Sequence, residues 1–126
     1  MKLESIALEG RDKLNLSPKI DGKVLNTKFL LKEIFTNRNN FSVADLAYSA
    51  QSYIARGLSQ LAITEAKRLQ VKNIGFSGGV AYNSYITNAI RKSVKKEGLR
   101  FLVHKKIPAG DGGTSFGQAI VTVHQN

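Results

Sequence analysis

Two stretches of this chain carry residue types that can do chemistry: Ser77-Gly78-Gly79-Val80-Ala81-Tyr82-Asn83 and Pro108-Ala109-Gly110-Asp111-Gly112-Gly113. The first follows the apolar run Ile74-Gly75-Phe76, and the second runs into Thr114-Ser115-Phe116-Gly117-Gln118-Ala119. Each stands where a short strand should hand over to a helix. Glycine there lets bare backbone N–H groups approach an anion at a helix N-terminus. The pair therefore points to a nucleotide or phosphate site. Ser77 and Asn83 add side-chain hydrogen-bonding groups, and Asp111 is a carboxylate able to bind a hard cation that bridges phosphate oxygens. Structural readings compete with both. Gly78-Gly79 can simply make a tight connection, and Asp111-Gly112 can be a turn whose carboxylate bonds its own backbone. The first stretch matches neither G-x-x-x-x-G-K-[ST] nor G-x-G-x-x-G.

The elements that hold these turns follow from periodicity. Ser42 caps a long helix over 43–69, with Asp45 as the acidic arm of a near capping box. Val43, Leu46, Ala47, Ala50, Ile54, Leu58, Leu61, Ala62 and Leu69 recur at steps that give one buried stripe. Gly57 in its middle costs about 1 kcal/mol against alanine, which predicts close packing against another backbone. Lys72–Phe76 reads as a strand. Val80 to Lys96 reads as a helix with Tyr82, Tyr85, Ile86, Ala89, Ile90 and Val94 inside, ended by Gly98. Leu99–His104 is the next strand, and Ser115–His124 is a helix with Phe116, Ala119, Ile120 and Val123 on one side. Before these, Ile6-Ala7-Leu8 reads as a short strand and Leu14–Ile20 as loop. Asp21-Gly22 turns into an edge strand at 23–26, and Asn26 or Thr27 caps a helix to Phe35. The alternation argues for an α/β layer with parallel strands and right-handed crossovers.

Composition bounds the rest. The chain has 126 residues, 42% hydrophobic, with no cysteine and two histidines, which excludes disulfides, thiolate sites and a polyhistidine cage. No run is long enough to span a membrane, no signal-peptide pattern stands at Met1, and a cytoplasmic location is the default. The net charge is +10. Residues 1–65 hold nine Lys/Arg against seven Asp/Glu, whereas residues 66–126 hold ten against two, Glu97 and Asp111. Arg91, Lys92, Lys95 and Lys96 fit the solvated face of one helix better than a nucleic-acid surface, since interleaved aromatics are lacking. His104, beside Lys105 and Lys106, reads as structural, and His124 as uninvolved. No Ser/His/Asp triad or close carboxylate pair is present, so no complete catalytic machine is legible.

Taken in order, S-G-G-V with an asparagine three residues on, a basic helix, a strand, then P-x-x-D-G-G-x-S-x-G-Q-A resembles the C-terminal lobe of the HypF family of hydrogenase maturation carbamoyltransferases. Asp45-Leu46-Ala47-Tyr48-Ser49-Ala50-Gln51 is similar to that family's long helix before the glycine turn. The resemblance covers about residues 23–123. It leaves 1–22 as an unassigned N-terminal segment and makes 23–126 a C-terminal lobe. It implies an α/β, ribonuclease-H-like lobe of the actin, sugar kinase and Hsp70 ATPase type, a mixed sheet with packed helices. It further implies formation of carbamoyl-adenylate from carbamoyl phosphate and ATP, and transfer of the carbamoyl group to the C-terminal cysteine of HypE. That group becomes a cyanide ligand of nickel–iron hydrogenase. By resemblance, Gly78, Gly79, Val80 and Asn83 line the nucleotide and Asp111 is a ligand to a divalent metal.

The family's H-x-x-x-H metal pair lies in the preceding lobe. Here His104 and His124 stand twenty residues apart, and neither lies in such a motif. The expectation is one lobe of a two-lobe enzyme, a fragment or a separately encoded half, inactive without its N-terminal partner lobe. Three other readings stay open. A relative in tRNA threonylcarbamoyl transfer is disfavoured by Asp111-Gly112, where that branch typically has Asp-Asn. A stand-alone basic module would bind nucleic acid with steep salt dependence. A docking lobe with exposed apolar surface would form a homodimer or capture its partner.

Overall fold

The computed structural model describes residues 2–124. Its centre is a single long helix, α3 (Val43–Arg68), against which three other helices and two short strands pack. Ser42 opens α3 as expected: its hydroxyl accepts the Asp45 N–H at 3.1 Å and donates to the Asp45 carboxylate at 2.9 Å. Helix α1 (Lys2–Ala7) lies across α3. A short antiparallel hairpin, β1 (Ile20–Asp21) with β2 (Val24–Leu25), leads into α2 (Thr27–Asn37), which Asn26 caps by accepting the Phe29 N–H. On the other side, β3 (Asn73–Phe76) and β4 (Arg100–Val103) pair in parallel, Ile74 beside Phe101 and Gly75 beside Leu102. The crossover between them is α4 (Ser84–Lys96), and the chain ends in α5 (Thr114–His124).

Two apolar clusters explain this arrangement. Ala55, Ala66, Ile74, Ile86, Ile90 and Val94 join α3, α4 and the parallel strands, with Phe76 and Phe101 against them. Each fully buried aliphatic chain there contributes roughly 1.5–3 kcal/mol. Leu30, Ala50 and Tyr53 form the second cluster, with Leu25 and Phe29 packed on it. Helix α3 thus buries two faces, which is why its apolar stripe is broad.

Several expectations change. Residues 6–8 are not a strand: Lys2–Ala7 is helical because it docks on α3, where Ala7 is buried and the Leu3 carbonyl accepts a bond from Gln51. A three-residue apolar run cannot distinguish the two states. The expected single mixed sheet is two separate two-stranded sheets among the described residues. Helix 80–96 is split at Asn83, whose backbone is extended; Gly79–Tyr82 forms a 3-10 turn, so Tyr82 is exposed rather than inside. Gly57 does accommodate a close approach, but of the Leu25 side chain from β2 rather than of another backbone. Val43 and Leu69 are exposed at the ends of α3, and the apolar face of α5 is uncovered, with Phe116, Ile120 and Val123 all exposed. No described helix is long and apolar enough to cross a membrane.

Two predictions follow from the packing around α3. Tyr53 is fully buried, and its hydroxyl donates to the Asn26 carbonyl at 2.8 Å while accepting the Lys19 N–H at 3.1 Å. Tyr53→Phe leaves both backbone groups short of a partner, and urea denaturation should show a loss of about 1–3 kcal/mol; an unchanged midpoint would refute this. Asp45 is held below the usual carboxylate range, first by the Arg11 backbone N–H and then by the Ser42 hydroxyl. Its contribution is therefore complete above the unfolded carboxylate pKa, about 3.9, and is lost as pH falls through the lower folded value. Asp45→Asn should flatten the acid limb of a stability–pH curve, whereas parallel curves would show that Asp45 does not contribute to it.

Candidate functional site

Strand β3 ends at Phe76, and the chain turns at Ser77-Gly78 before the 3-10 turn. Gly78 has φ +98° and ψ 173°, a conformation essentially restricted to glycine. Strand β4 ends at Val103, and the loop through 104–110 returns to the same place. The two glycine turns are bonded to one another there. The Gly78 N–H donates to the Ala109 carbonyl at 2.8 Å, and the Ser77 hydroxyl donates to the same oxygen at 3.2 Å. From the other side, the Gly110 N–H donates to the Tyr82 hydroxyl at 3.2 Å. A cleft of about 320 Å³ opens at this junction, lined among others by Ser77, Gly78, His104, Gly110, Asp111 and Thr114.

The N-terminus of α4 is not the open anion site that a glycine turn before a helix suggests. Asn83 is fully buried, and its side-chain oxygen accepts the Ile86 N–H at 2.9 Å. The Glu4 carboxylate takes the Ser84 N–H at 2.7 Å. The free donors lie one step earlier. Among the described residues, the N–H groups of Gly79 and Val80 have no hydrogen-bond partner, and neither do those of Asp111 and Gly112 in the short 3-10 turn Asp111–Gly113. Both pairs are exposed.

Of the five residues singled out in the sequence, Gly78 and Asp111 line the cleft, and Gly79 and Val80 follow directly on Gly78. The Asn83 side chain is internal: its amide nitrogen donates to Gln51 Oε1 at 2.9 Å, so both ends of the amide are engaged within the fold. Asp111 is exposed, and its carboxylate makes no hydrogen bond or ion pair among the described residues. The Asp-Gly turn is closed instead by the Gly113 N–H on the Gly110 carbonyl. No group of three or more His, Cys, Asp or Glu side chains able to hold a metal exists among the described residues. The donors among the described residues therefore do not amount to a metal site, and Asp111 offers one ligand at most. Sequence reasoning sets His104 aside as structural rather than as a proton carrier or ligand, and leaves its partner unidentified. Its Nε2 lies 2.9 Å from the Ser77 hydroxyl and it lines the cleft; the signal was its place at a strand end, level with the serine that ends the neighbouring strand.

Comparison with known proteins identifies the family and the fold. Residues 1–118 match the family described as "Carbamoyltransferase, Kae1-like Domain, second subdomain". The whole chain is 36% identical to the probable carbamoyltransferase HypF of Methanocaldococcus jannaschii, of which it covers 17%. The crystal structure of T. kodakarensis HypF superposes with a TM-score of 0.86 at 36% identity, over 97% of this chain and 16% of that one. A full-length HypF in a phosphate- and nucleotide-bound form has the same fold, with a TM-score of 0.83 at 21% identity over 96% of this chain and 16% of that one. Curated relatives matched over shorter stretches include tRNA N6-adenosine threonylcarbamoyltransferases. The chain thus spans about a sixth of the HypF proteins it matches, and it belongs to the carbamoyltransferase family as its Kae1-like second subdomain.

Proposed function

We propose that this chain supplies one wall of the cleft in which a HypF-type carbamoyltransferase binds ATP and forms carbamoyl-adenylate from carbamoyl phosphate. The observation that carries this reading is the bonding of the two glycine turns through Ala109, which brings Gly78 and Asp111 to one cleft, while the N–H groups of Gly79, Val80, Asp111 and Gly112 in the same two turns have no partner among the described residues. Backbone N–H groups in exposed turns are matched to phosphate oxygens. Gly78 allows the close approach, and Asn83 acts from behind by fixing where the 3-10 turn ends and α4 begins. The nucleotide-bound relative shares the fold, which supports nucleotide binding here.

In this reading the lobe is ribonuclease-H-like and closes against a preceding lobe of the same enzyme. The acceptor of the carbamoyl group is HypE, and the product serves the cyanide ligands of nickel–iron hydrogenase. When bound, a divalent metal would neutralise charge on the phosphates. Asp111 is the ligand that the described residues would offer it, and the remaining ligands would come from the preceding lobe.

ATP should protect the chain in a thermal melt, by about 2.7 kcal/mol at a hundredfold excess over Kd. Gly78→Ala forces a side chain into a glycine-only conformation, costs roughly 1–3 kcal/mol of strain and should weaken ATP binding about tenfold or more. No ATP-dependent shift in the native chain, or a shift reproduced by RNA and abolished by moderate salt, would refute the reading. Asp111→Asn is expected to leave the melting temperature of this exposed site unchanged. With the lobe joined to the remainder of a HypF-type enzyme, it should lower carbamoyl-phosphate-dependent pyrophosphate release by about a hundredfold. Full release by that variant would remove Asp111 from the metal site.

A further inference from the structure

We infer that His104 is a positioning residue of this cleft, and that with Ser77 it forms a latch holding the second glycine turn onto the first. The inference deepens the nucleotide reading above, since the latch sets the shape of the proposed phosphate-facing backbone. It starts from the hydrogen inventory of one hydroxyl. Ser77 Oγ lies 3.2 Å from the Ala109 carbonyl oxygen and 2.9 Å from His104 Nε2. A carbonyl oxygen only accepts, so the single Ser77 hydrogen goes to Ala109. The bond to the imidazole must then be donated by Nε2–H. The neutral His104 ring carries its hydrogen on Nε2 and a lone pair on Nδ1.

Three bonds therefore run in series. His104 Nε2–H fixes the Ser77 hydroxyl, the Ser77 hydroxyl fixes the Ala109 carbonyl, and that carbonyl receives the Gly78 N–H at 2.8 Å. Burial does not hold these groups, because Ser77, Gly78 and His104 are all exposed. The loop at 104–110 has no regular structure, and its other polar tie to the first turn is the Gly110 N–H on the Tyr82 hydroxyl. Gly78 also sits in a costly region of backbone space. Freed from its acceptor, that peptide has every reason to relax, and the cleft would lose its floor.

The test uses the ¹⁵N-labelled chain without ligand. Imidazole nitrogen shifts, recorded with the ring neutral, should show His104 protonated on Nε2 and bare on Nδ1. Hydrogen exchange at the Gly78 amide should accelerate about tenfold in His104→Ala and again about tenfold in Ser77→Ala, the size expected for one net hydrogen bond. The double variant should exchange no faster than the faster single one, because both changes open the same latch. His104→Gln, which keeps an N–H at similar reach, should stay close to the native rate. The Val94 amide inside α4 should not change in any variant, which separates the latch from global unfolding. A ring protonated on Nδ1, multiplicative effects of the two substitutions, or parallel acceleration at Val94 would each overturn the inference. An ATP titration of the same samples separates it from the proposed function. A latched chain that binds no ATP would sink the nucleotide reading alone. Undiminished ATP binding by an unlatched His104→Ala chain would sink the latch's role in the cleft.

Discussion

The rest of the structure depends on one buried contact between two amides, Asn83 Nδ2 donating to Gln51 Oε1 at 2.9 Å. Both residues are essentially inaccessible to water, so each amide must find its partners inside the protein. The requirement propagates in one direction. Asn83 uses its oxygen to cap α4 at Ile86, which leaves its nitrogen as a donor. That donor needs an acceptor, which orients the Gln51 amide with oxygen toward Asn83. The Gln51 nitrogen is then turned to the Leu3 carbonyl in α1, at 3.3 Å. A buried donor or acceptor left alone costs about 1–3 kcal/mol, so no member of the series can be reoriented by itself. One polar series thereby registers α1, α3 and α4 against one another.

Its consequence for the site is that the first glycine turn is fixed from behind. Asn83 marks where the 3-10 turn stops and α4 starts, and Glu4 reaches from α1 to satisfy the Ser84 N–H. The helix end is filled by the protein's own groups, so its partial positive charge is already answered. The free N–H groups are displaced one turn earlier, to Gly79 and Val80. The second glycine turn has no comparable buried anchor. It reaches the first through bonds from Ser77, Gly78 and Gly110, all in contact with solvent or close to it. The cleft therefore has one rigid wall and one tethered wall.

Much of this was legible in residue patterns. Ser42 and Asp45 marked the start of α3 because cap chemistry is local, and Gly98, with φ +72°, ended α4 for the same reason. The parallel pairing of β3 and β4 followed from strand–helix–strand order. What failed was decided by tertiary contact. The 6–8 run became helix because α3 offered it a surface. The break at Asn83 was hidden because the stretch from Val80 to Val94 keeps helical spacing across it. Asn83 reads in the sequence as a residue that lines a nucleotide, whereas in the structure its side chain caps α4 and bonds Gln51; a side chain that caps and one that binds a ligand look alike in sequence. His104 reads as a structural residue at a strand end, and what the sequence does not show is its partner, Ser77 across the sheet. Strand pairing brings those two ends together, and no local pattern records it.

The charge distribution can also be placed more sharply than a net +10 allows. The lining of the cleft holds one carboxylate, one imidazole and small or backbone groups, with no lysine or arginine among them. The cations of the second half lie elsewhere. Lys92, Lys95 and Lys96 are exposed along α4, Arg91 stacks 5.6 Å from the Phe101 ring centre, and Lys67 pairs with Glu97. Lys105 and Lys106 follow His104 directly and form no ion pair among the described residues. If phosphate is held at this cleft, it is held through neutral N–H donors whose geometry is set by hydrogen bonds, and not through formal charge. Such recognition is governed by shape and is only weakly screened by salt, whereas binding along the α4 cations would fall steeply with ionic strength. An anion held through the glycine turns and one held along the α4 cations would therefore respond differently to ionic strength.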